Sequence, residues 1–181
     1  MILLTTSRRP TERIRSFCRD LVYSIPQVFS INRGKLSLDG ISEKALEVNA
    51  DRVIVVDRWR NGFGQIKLFQ VSSKGLYPMM PIMYLSSVCL RRDLNVKTKR
   101  FRSTVVTFES KISINLRRAA KHISQFLNLP FMSIDEAIEQ HRASLHFMFD
   151  SSDYIKATFM NLGRMVEIGP RLNVSKLTWE E

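Results

Sequence analysis

The sequence predicts a mixed α/β fold of the α+β class, with two similar halves that each read strand, helix, strand, helix and three strands. Helical and strand periodicities alternate along the 181 residues, and 44% of them are hydrophobic, as in an ordinary folded chain. The same order of elements occurs twice. A strongly basic segment separates the two occurrences and marks where the halves join.

The first half begins with a strand over ILLTT and a helix from Pro10 to about Ile25. Apolar residues recur at helical spacing along this helix, and Pro10 suits a first turn, where no amide donor is needed. A strand over QVFSI, a turn at 32–34 and a short helix around SEKALEV follow. Three segments rich in β-branched residues are predicted to be strands: RVIVVDRW, QIKLFQV after the turn RNGFG, and PIMYLSSVCL.

The second half repeats this order. Its first strand is STVVTFE, its long helix is INLRRAAKHISQFL, and FMS is a short extended piece before the helix IDEAIEQ. The last three strands are SLHFMFD, YIKATFM and RMVEIGPRL, separated by the turns SSD and NLG.

Two residue offsets relate the halves. An offset of 102 superimposes the apolar faces of the two long helices, with Ile14 on Leu116, and an offset of 89 places Pro81 on Pro170. We therefore predict one domain over 1–181, with an N-terminal half at 1–90, a basic connector at 91–102 and a C-terminal half at 103–181. The alternative is a single mixed sheet whose halves merely look alike.

The charge is large and unevenly distributed. The net charge is +11 and the isoelectric point is about 10.1, which indicates a polyanionic partner, nucleic acid before membrane. Residues 1–90 have 13 basic and 7 acidic side chains, the segment 90–102 has 6 and 1, and residues 103–181 have 9 and 9. This asymmetry favours one surface that faces a polyanion, formed by the first half and the connector. A solvated basic surface without a partner is the alternative.

The cysteines and the first residues predict a reduced, cytoplasmic protein that does not cross a membrane. Cys18 and Cys89 each lie inside an apolar run, where a free thiol behaves as a small hydrophobic group. The opening MILLTT lacks the charged leader and the long apolar stretch of a signal peptide. No run of ~18 uncharged apolar residues occurs.

Candidate catalytic groups do not form a recognisable constellation. The three histidines are scattered over a helix face, a helix end and a strand, and none has the spacing of a metal ligand. Asp57 and Asp150 occupy corresponding strand ends, which capping or turn roles explain. The glycines of RNGFG precede a strand rather than a helix, so we interpret them as a hairpin turn and not as a phosphate loop. We predict no enzyme activity, no metal, no cofactor and no small-molecule substrate.

The stretch TTSRRPTERIRSF contains the strongest candidate for anion binding. Ser7, Arg8 and Arg9 lie where a strand passes into a helix, and the free amides and positive end of a helix favour an anion there. Two arginines add bidentate donors for phosphate, and Arg13 is expected to project from the same end. Arg33 and Lys35 in INRGK are a second basic turn. The alternative is a solvated arginine pair at the entry of a helix.

Two further segments have structural interpretations. LYPMMPIMY contains methionines around two prolines, which predicts an irregular or edge strand. We favour core filling for Met79, Met80 and Met83 over a protein-binding patch. EIGPRL has a Gly-Pro break followed by Arg171, which indicates a bulge or a turn.

Four motifs together resemble the Brix-domain family of ribosome biogenesis proteins: TTSRRPTERIRSF, INRG, RVIVVDRW and EIGPRL. The resemblance covers essentially the whole chain and is closest to the short archaeal form, without the extensions of eukaryotic members. It implies two α/β halves that look like anticodon-binding domains of some aminoacyl-tRNA synthetases, and a role in maturing ribosomal RNA. Asn173 after GPRL is more polar than the family's pattern.

From the resemblance we carry over only Arg8, Arg9, Arg33 and Arg171, and the remaining candidates follow from charge and position. All are predicted to contact phosphates, with base contacts restricted to unpaired loops. Phe101 is a candidate for stacking on a base or for packing on a strand. The complete predicted RNA-binding set is Arg8, Arg9, Arg13, Arg33, Lys35, Arg91, Arg92, Lys97, Lys99, Arg100, Arg102 and Arg171.

Three functional hypotheses follow. The first is a non-catalytic factor that binds ribosomal RNA or its precursor during ribosomal subunit assembly. The second is an interaction scaffold that docks on ribosomal or assembly proteins through the proline-methionine segment and the neutral second half. The third, an RNA-modifying enzyme, has little support in the sequence. Salt dependence separates the first two, because phosphate binding weakens steeply as salt rises.

Overall fold

The computed structural model describes residues 1–97, 100, 103–149 and 154–179. Helices and strands alternate as the sequence predicts, in a mixed α/β architecture around one large sheet. A short 3-10 helix, Arg91–Leu94, begins the connector. The elements are β1 Ile2–Thr6, α1 Glu12–Ser24, β2 Val28–Ser30, α2 Leu38–Glu47, β3 Arg52–Asp57, β4 Gly64–Ser72, β5 Gly75–Cys89, β6 Val105–Phe108, α3 Ile114–Leu127, β7 Phe131–Ser133, α4 Ile134–Gln140, β8 Ala143–Phe149, β9 Ile155–Asn161 and β10 Val166–Thr178.

The described strands form one sheet in the order β2-β1-β3-β4-β5-β10-β9-β8-β6-β7. Near each edge three strands run parallel, β2-β1-β3 and β7-β6-β8, and the strands between them pair antiparallel. Read inward from the two edges, the strand orders are β2-β1-β3-β4-β5 and β7-β6-β8-β9-β10. Each strand of residues 103–181 therefore takes the position of the corresponding strand of residues 1–90. This order supports the division into two similar halves, which stays a prediction.

Side-chain caps fix where the helices begin. The Thr11 hydroxyl accepts a hydrogen bond from the Ile14 amide at 3.2 Å, and Ser113 caps α3 in the same way through the Leu116 amide. Ser133 and Glu136 form a reciprocal capping box at the start of α4. These caps satisfy amides that otherwise lack a partner, so the polar residue before each apolar pattern sets the helix start.

The helices cover both faces of the sheet. Apolar residues of α1 and α3 pack into one large core with residues of β1, β3, β6 and β8. The alternate side chains of β1, β3 and β6 point to the opposite face, where α2 and α4 cover two smaller clusters. Consequently α1 and α3 lie on one face of the sheet, and α2 and α4 lie on the other.

Some element boundaries differ from the prediction. Ser37 caps α2, which therefore begins four residues before SEKALEV. The segment LYPMMP belongs to β5, and in its first part β5 pairs only with β4 among the described strands, as expected of an edge. Met83 is buried in the large core and Met79 packs against it, consistent with core filling. Pairing with β5 carries β10 on to Thr178, past the predicted end at Leu172.

Candidate nucleic-acid interface

A cleft opens where three parallel strands end and α1 begins. The carboxyl ends of β2, β1 and β3 lie side by side, because β1 pairs in parallel with both neighbours. In open α/β sheets this edge is the usual place for ligands, since the loops there diverge. The hollow has a volume of about 610 Å³ and is lined by the end of β1, the turn after β2 and the outer side of α1. We call it the strand-end cleft.

Arg8 and Arg9 are exposed at this cleft, as the sequence predicts for a helix entry. A shallower hollow of about 440 Å³ continues the cleft past β3, and both arginines line it together with Arg33 and Arg58. Among the residues that the structure describes, no acidic side chain lies within salt-bridge distance of Arg8 or Arg9. Four guanidinium groups therefore line one hollow, and Asp57 is the acidic residue among its lining side chains.

Arg33 is buried and holds the turn after β2 against the end of β1. Its Nε donates to the Leu36 carbonyl at 2.8 Å and its Nη1 donates to the Thr6 carbonyl at 3.3 Å. Burial, followed by the positive charge of Arg8, lowers the pKa of Arg33, while Asp57 acts in the opposite direction. Arg33 thus holds the turn in place, and its positive charge adds to the positive potential around Arg8.

Ser7, Glu12 and Asp57 complete the lining of the cleft. The Ser7 Oγ is buried and has no hydrogen-bond partner among the described residues. Glu12 lines the deep part of the cleft, and Asp57 lines the shallow part. The Asp57 carboxylate accepts a hydrogen bond from the Arg58 amide at 2.8 Å, which uses part of its capacity within the loop.

The structure places Arg13 away from the cleft, contrary to the expectation that it projects from the same end. Its Nη2 donates to the Asp93 carboxylate at 2.9 Å and to the Val88 carbonyl at 3.0 Å. Arg92 is exposed beside α1 and lies 3.9 Å from the same Asp93 carboxylate. Arg13 therefore fastens α1 to the connector, and one acidic residue partly neutralises both arginines.

The other connector candidates have different surroundings. Arg91 is only 2% exposed and is stabilised by the charge of Asp20, whose carboxylate accepts from the Arg91 amide at 2.9 Å. Lys97 is exposed, and Arg100 is exposed and donates to the Val28 carbonyl at 3.2 Å, near the edge strand β2. Lys99, Phe101 and Arg102 lie outside the described residues, and so do Asp150 and the SSD turn.

Arg171 and Lys35 complete the predicted set. Arg171 makes a bidentate ion pair with Glu167, and Thr158 donates a further hydrogen bond to that carboxylate. Burial alone raises the pKa of Glu167, but these hydrogen bonds and the charge of Lys156 outweigh it and lower the pKa. Arg171 therefore sits in a compensated network on the sheet. Lys35 is exposed in the turn after Gly34.

Three basic residues at the cleft were not predicted from the sequence. Arg58 follows β3, and Arg15 and Arg19 lie on the outer side of α1, where they line the deep part of the cleft. Arg15 donates to the Pro10 carbonyl at 3.2 Å, and Arg19 donates to the Ser16 hydroxyl at 3.1 Å. The helical period could have identified Arg15 and Arg19, but Arg58 becomes visible only when β3 is known to lie beside β1.

The helices separate charge across the sheet. On one face α1 and α3 carry six basic residues and two acidic ones, whereas on the other face α2 and α4 carry one basic residue and six acidic ones. The neutral total of residues 103–181 therefore hides a basic α3 and an acidic α4. The strand-end cleft, with Arg15 and Arg19 of α1, borders the basic face.

Cys18, His146 and His122, which are side chains of types that can take part in catalysis, are buried or packed against other side chains. Burial raises the pKa of the Cys18 thiol to about 12, so it stays protonated. His146 is buried with its Nδ1 at 2.9 Å from the Thr107 hydroxyl, and His122 packs edge-on against Trp179. Within the described ranges no group of three or more His, Cys, Asp or Glu side chains could hold a metal ion. No helix in those ranges is long and apolar enough to span a membrane.

Several archaeal proteins are similar to this chain. No protein-family model matches the chain. A probable Brix domain-containing ribosomal biogenesis protein of Aeropyrum pernix is 43% identical over 68 residues, 38% of either chain. A protein of the same description from Pyrococcus horikoshii is 30% identical over 54% of this chain and 43% of its own length. In these two relatives the match thus spans less than two thirds of their length.

Other matches extend over nearly the whole chain. A protein of the same description from Methanopyrus kandleri is 24% identical over 93% of this chain and 90% of its own length. The crystal structure of a probable ribosomal biogenesis protein from Aeropyrum pernix superimposes with a TM-score of 0.78 and 26% identity, covering 97% of this chain and 95% of that one. An archaeal Imp4-like protein shares the fold, with a TM-score of 0.65 and 20% identity over 97% of each chain. By its motifs, its fold and these relatives, the chain is similar to archaeal ribosomal biogenesis proteins of the Brix-domain family.

Proposed function

We propose that this chain is a cytoplasmic ribosome biogenesis factor that binds ribosomal RNA or its precursor without catalysis, and that the strand-end cleft contacts the phosphates of that RNA. One observation carries the proposal. Arg8 and Arg9 are exposed beside Arg58 and the buried Arg33, with no acidic partner at salt-bridge distance among the described residues. The descriptions of the relatives as ribosomal biogenesis proteins support the cellular role.

The chemistry of the cleft suits a phosphate diester. A guanidinium group offers paired N–H donors that match two phosphate oxygens, and Arg8 and Arg9 present two such groups at one point. Contacts of this kind hold the RNA backbone regardless of sequence, so selectivity would come from RNA shape and from unpaired bases.

A binding role without catalysis agrees with the state of the reactive groups. The Cys18 thiol is protonated in the core because burial raises its pKa to about 12. His146 is neutral and buried against Thr107, so it is not positioned to exchange protons with a substrate at the surface. Neither group lies in an arrangement that would cut or modify RNA.

Replacing both cleft arginines tests the proposal. We expect Arg8→Ala with Arg9→Ala to weaken RNA binding at least tenfold and to reduce the slope of log K against log salt by about 2, one for each lost phosphate contact. The fold should persist because both side chains are exposed. The measurement is fluorescence anisotropy with a transcribed ribosomal RNA fragment at several salt concentrations, with circular dichroism to verify folding.

A matched control separates local contact from total charge. Lys44→Ala with Lys74→Ala removes the same two charges at exposed positions on α2 and on the turn after β4. Equal losses in both double variants would mean that the cleft has no special role. A cleft variant that unfolds would make the arginines structural and would also contradict the site.

A second candidate function rests on the other face of the sheet. The acidic helices α2 and α4 also expose apolar side chains, among them Leu38, Leu46 and Ile138. Acidic and apolar groups together complement a basic, partly apolar protein segment, such as the tail of an RNA-binding protein. Docking of that kind is compatible with RNA binding, since the two surfaces lie on opposite faces.

A further inference from the structure

The outward surface of α3 is basic and carries no acidic residue. Its buried side consists of Leu116, Ala119, Ala120, Ile123, Phe126 and Leu127, which pack into the large core. The opposite side exposes Arg117, Arg118 and Lys121. Solvated helices usually mix both signs of charge, so that pairs three or four residues apart stabilise the helix. This helix lacks such pairs and carries like charges instead, which is unfavourable unless an anion is bound.

Aromatic rings hold the two arginine groups of α3. The Arg117 guanidinium lies 4.8 Å from the centre of the Phe108 ring, and the Arg118 guanidinium lies 4.3 Å from that of Trp179. A ring contacts the flat face of a guanidinium and leaves its N–H donors free at the edge. Within the described part of the chain, no carboxylate lies within salt-bridge distance of Arg117, Arg118 or Lys121. The donors are therefore oriented but not used.

The position of these residues relates them to the strand-end cleft. Helices α1 and α3 share one core and lie on the same face of the sheet. The offset of 102 that superimposes the two helices places Arg15 on Arg117 and Arg19 on Lys121. The two helices therefore carry basic side chains at the same helical positions on one face of the sheet, although β1 and β6 run in opposite directions and place the two groups toward opposite ends of it.

From this arrangement we infer that α3 is a second phosphate-binding surface, through which the C-terminal half contacts the same RNA that the strand-end cleft holds. The inference rests on the proposed function. The C-terminal half, whose net charge is zero, would then contact RNA through residues that lie outside the set predicted from the sequence. A bound RNA then bridges α1 and α3 across the middle of the sheet.

The test replaces the three basic residues of α3 with glutamine, as Arg117→Gln, Arg118→Gln and Lys121→Gln. With a transcribed ribosomal RNA fragment as probe, we expect binding to weaken roughly tenfold and the salt slope to fall by about 2 to 3. The control Lys44→Gln, Arg142→Gln and Arg164→Gln makes the same change in net charge at exposed positions on or near α2 and α4, and should stay near the wild type. Thermal unfolding verifies that each variant folds.

Loss of the Arg118 contact with Trp179 could destabilise the triple variant, so a single variant is made in parallel. Lys121 is exposed and makes no ring contact among the described residues, so Lys121→Glu reverses a charge of this surface without loss of such a contact, and it should weaken binding in the same direction. If both α3 variants bind like the wild type or like the control, while Arg8→Ala with Arg9→Ala loses affinity, the inference is wrong and the proposed function stands. If the wild type itself shows only nonspecific binding, the proposed function fails and the inference fails with it.

Discussion

The arginine side chains differ in what surrounds their guanidinium groups. Arg13 and Arg171 bind carboxylates, and Arg52 donates to the Phe126 carbonyl at 2.6 Å. Arg8 and Arg9 have no such carboxylate among the described residues, although they carry the same charge. A compensated arginine stabilises the fold, whereas an uncompensated, exposed one remains available to an external anion. Only the three-dimensional contacts separate arginines that pair with a carboxylate from arginines that do not, because the sequence alone does not show what surrounds each side chain.

The buried His146 makes stability depend on pH. Burial, with a smaller effect of the Lys156 charge, lowers its pKa from 6.5 to about 4. Below pH 6.5 the unfolded chain binds a proton that the folded chain does not, so stability that is present above pH 6.5 is lost as the pH falls toward 4. We expect this group to contribute up to roughly 3 kcal/mol to the difference in unfolding free energy between these pH values.

Urea unfolding at pH 7 and at pH 4.5 measures that effect, with His146→Gln as the comparison. The variant keeps a polar group near Thr107 but does not titrate, so its stability should change less between the two pH values. An identical pH dependence in both proteins would contradict the assignment.

The turn after β2 determines the shape of the strand-end cleft. It passes from Ile31 to Lys35 and is tied to its neighbours by two hydrogen bonds from the buried Arg33. The turn lies between the short strand β2 and helix α2, and Gly34 within it has φ +53, a conformation that glycine adopts readily. One internal arginine therefore stabilises the loop that presents the exposed ones.

We predict that Arg33→Ala destabilises the fold by about 1 to 3 kcal/mol, because the Thr6 and Leu36 carbonyls lose a charged donor. RNA binding should weaken as well, through displacement of the turn. Urea unfolding with the Arg8→Ala, Arg9→Ala variant as reference checks this, since that variant should stay within about 0.5 kcal/mol of the wild type. Equal stability of all three proteins would mean that Arg33 does not hold the turn.

Elements with a clear period and a side-chain cap could be predicted to the residue. The bounds of α3, β7 and α4 agree with the sequence because Ser113 and Ser133 mark the helix starts. The ends of β5 and β10 could not be predicted in this way. The start of β5 extends because it pairs with β4, and the end of β10 extends because 171–178 pairs with 82–89 of β5, a contact between distant segments that sequence patterns do not reveal.

At the scale of the whole molecule, one sheet and one large core join the two halves. Helix α1 packs against β10 of the second half, and α3 packs against β5 of the first. The basic character of the cleft was predictable from TTSRRPTERIRSF and from the charge count. Its extent was not, because Arg58 enters through the parallel pairing of β1 with β3. Likewise, the zero net charge of residues 103–181 concealed two oppositely charged helices on opposite faces.

The salt dependence of wild-type binding tests the central claim most directly. The measurement titrates the protein against fragments of ribosomal RNA precursor and against an unrelated RNA of equal length, at several salt concentrations. A phosphate-binding assembly factor should bind at least one ribosomal fragment more tightly than the unrelated RNA, with affinity that falls steeply as salt rises. Affinity that is indifferent to salt, or equal for all RNAs, would contradict RNA binding as its function and would favour protein docking on the acidic face.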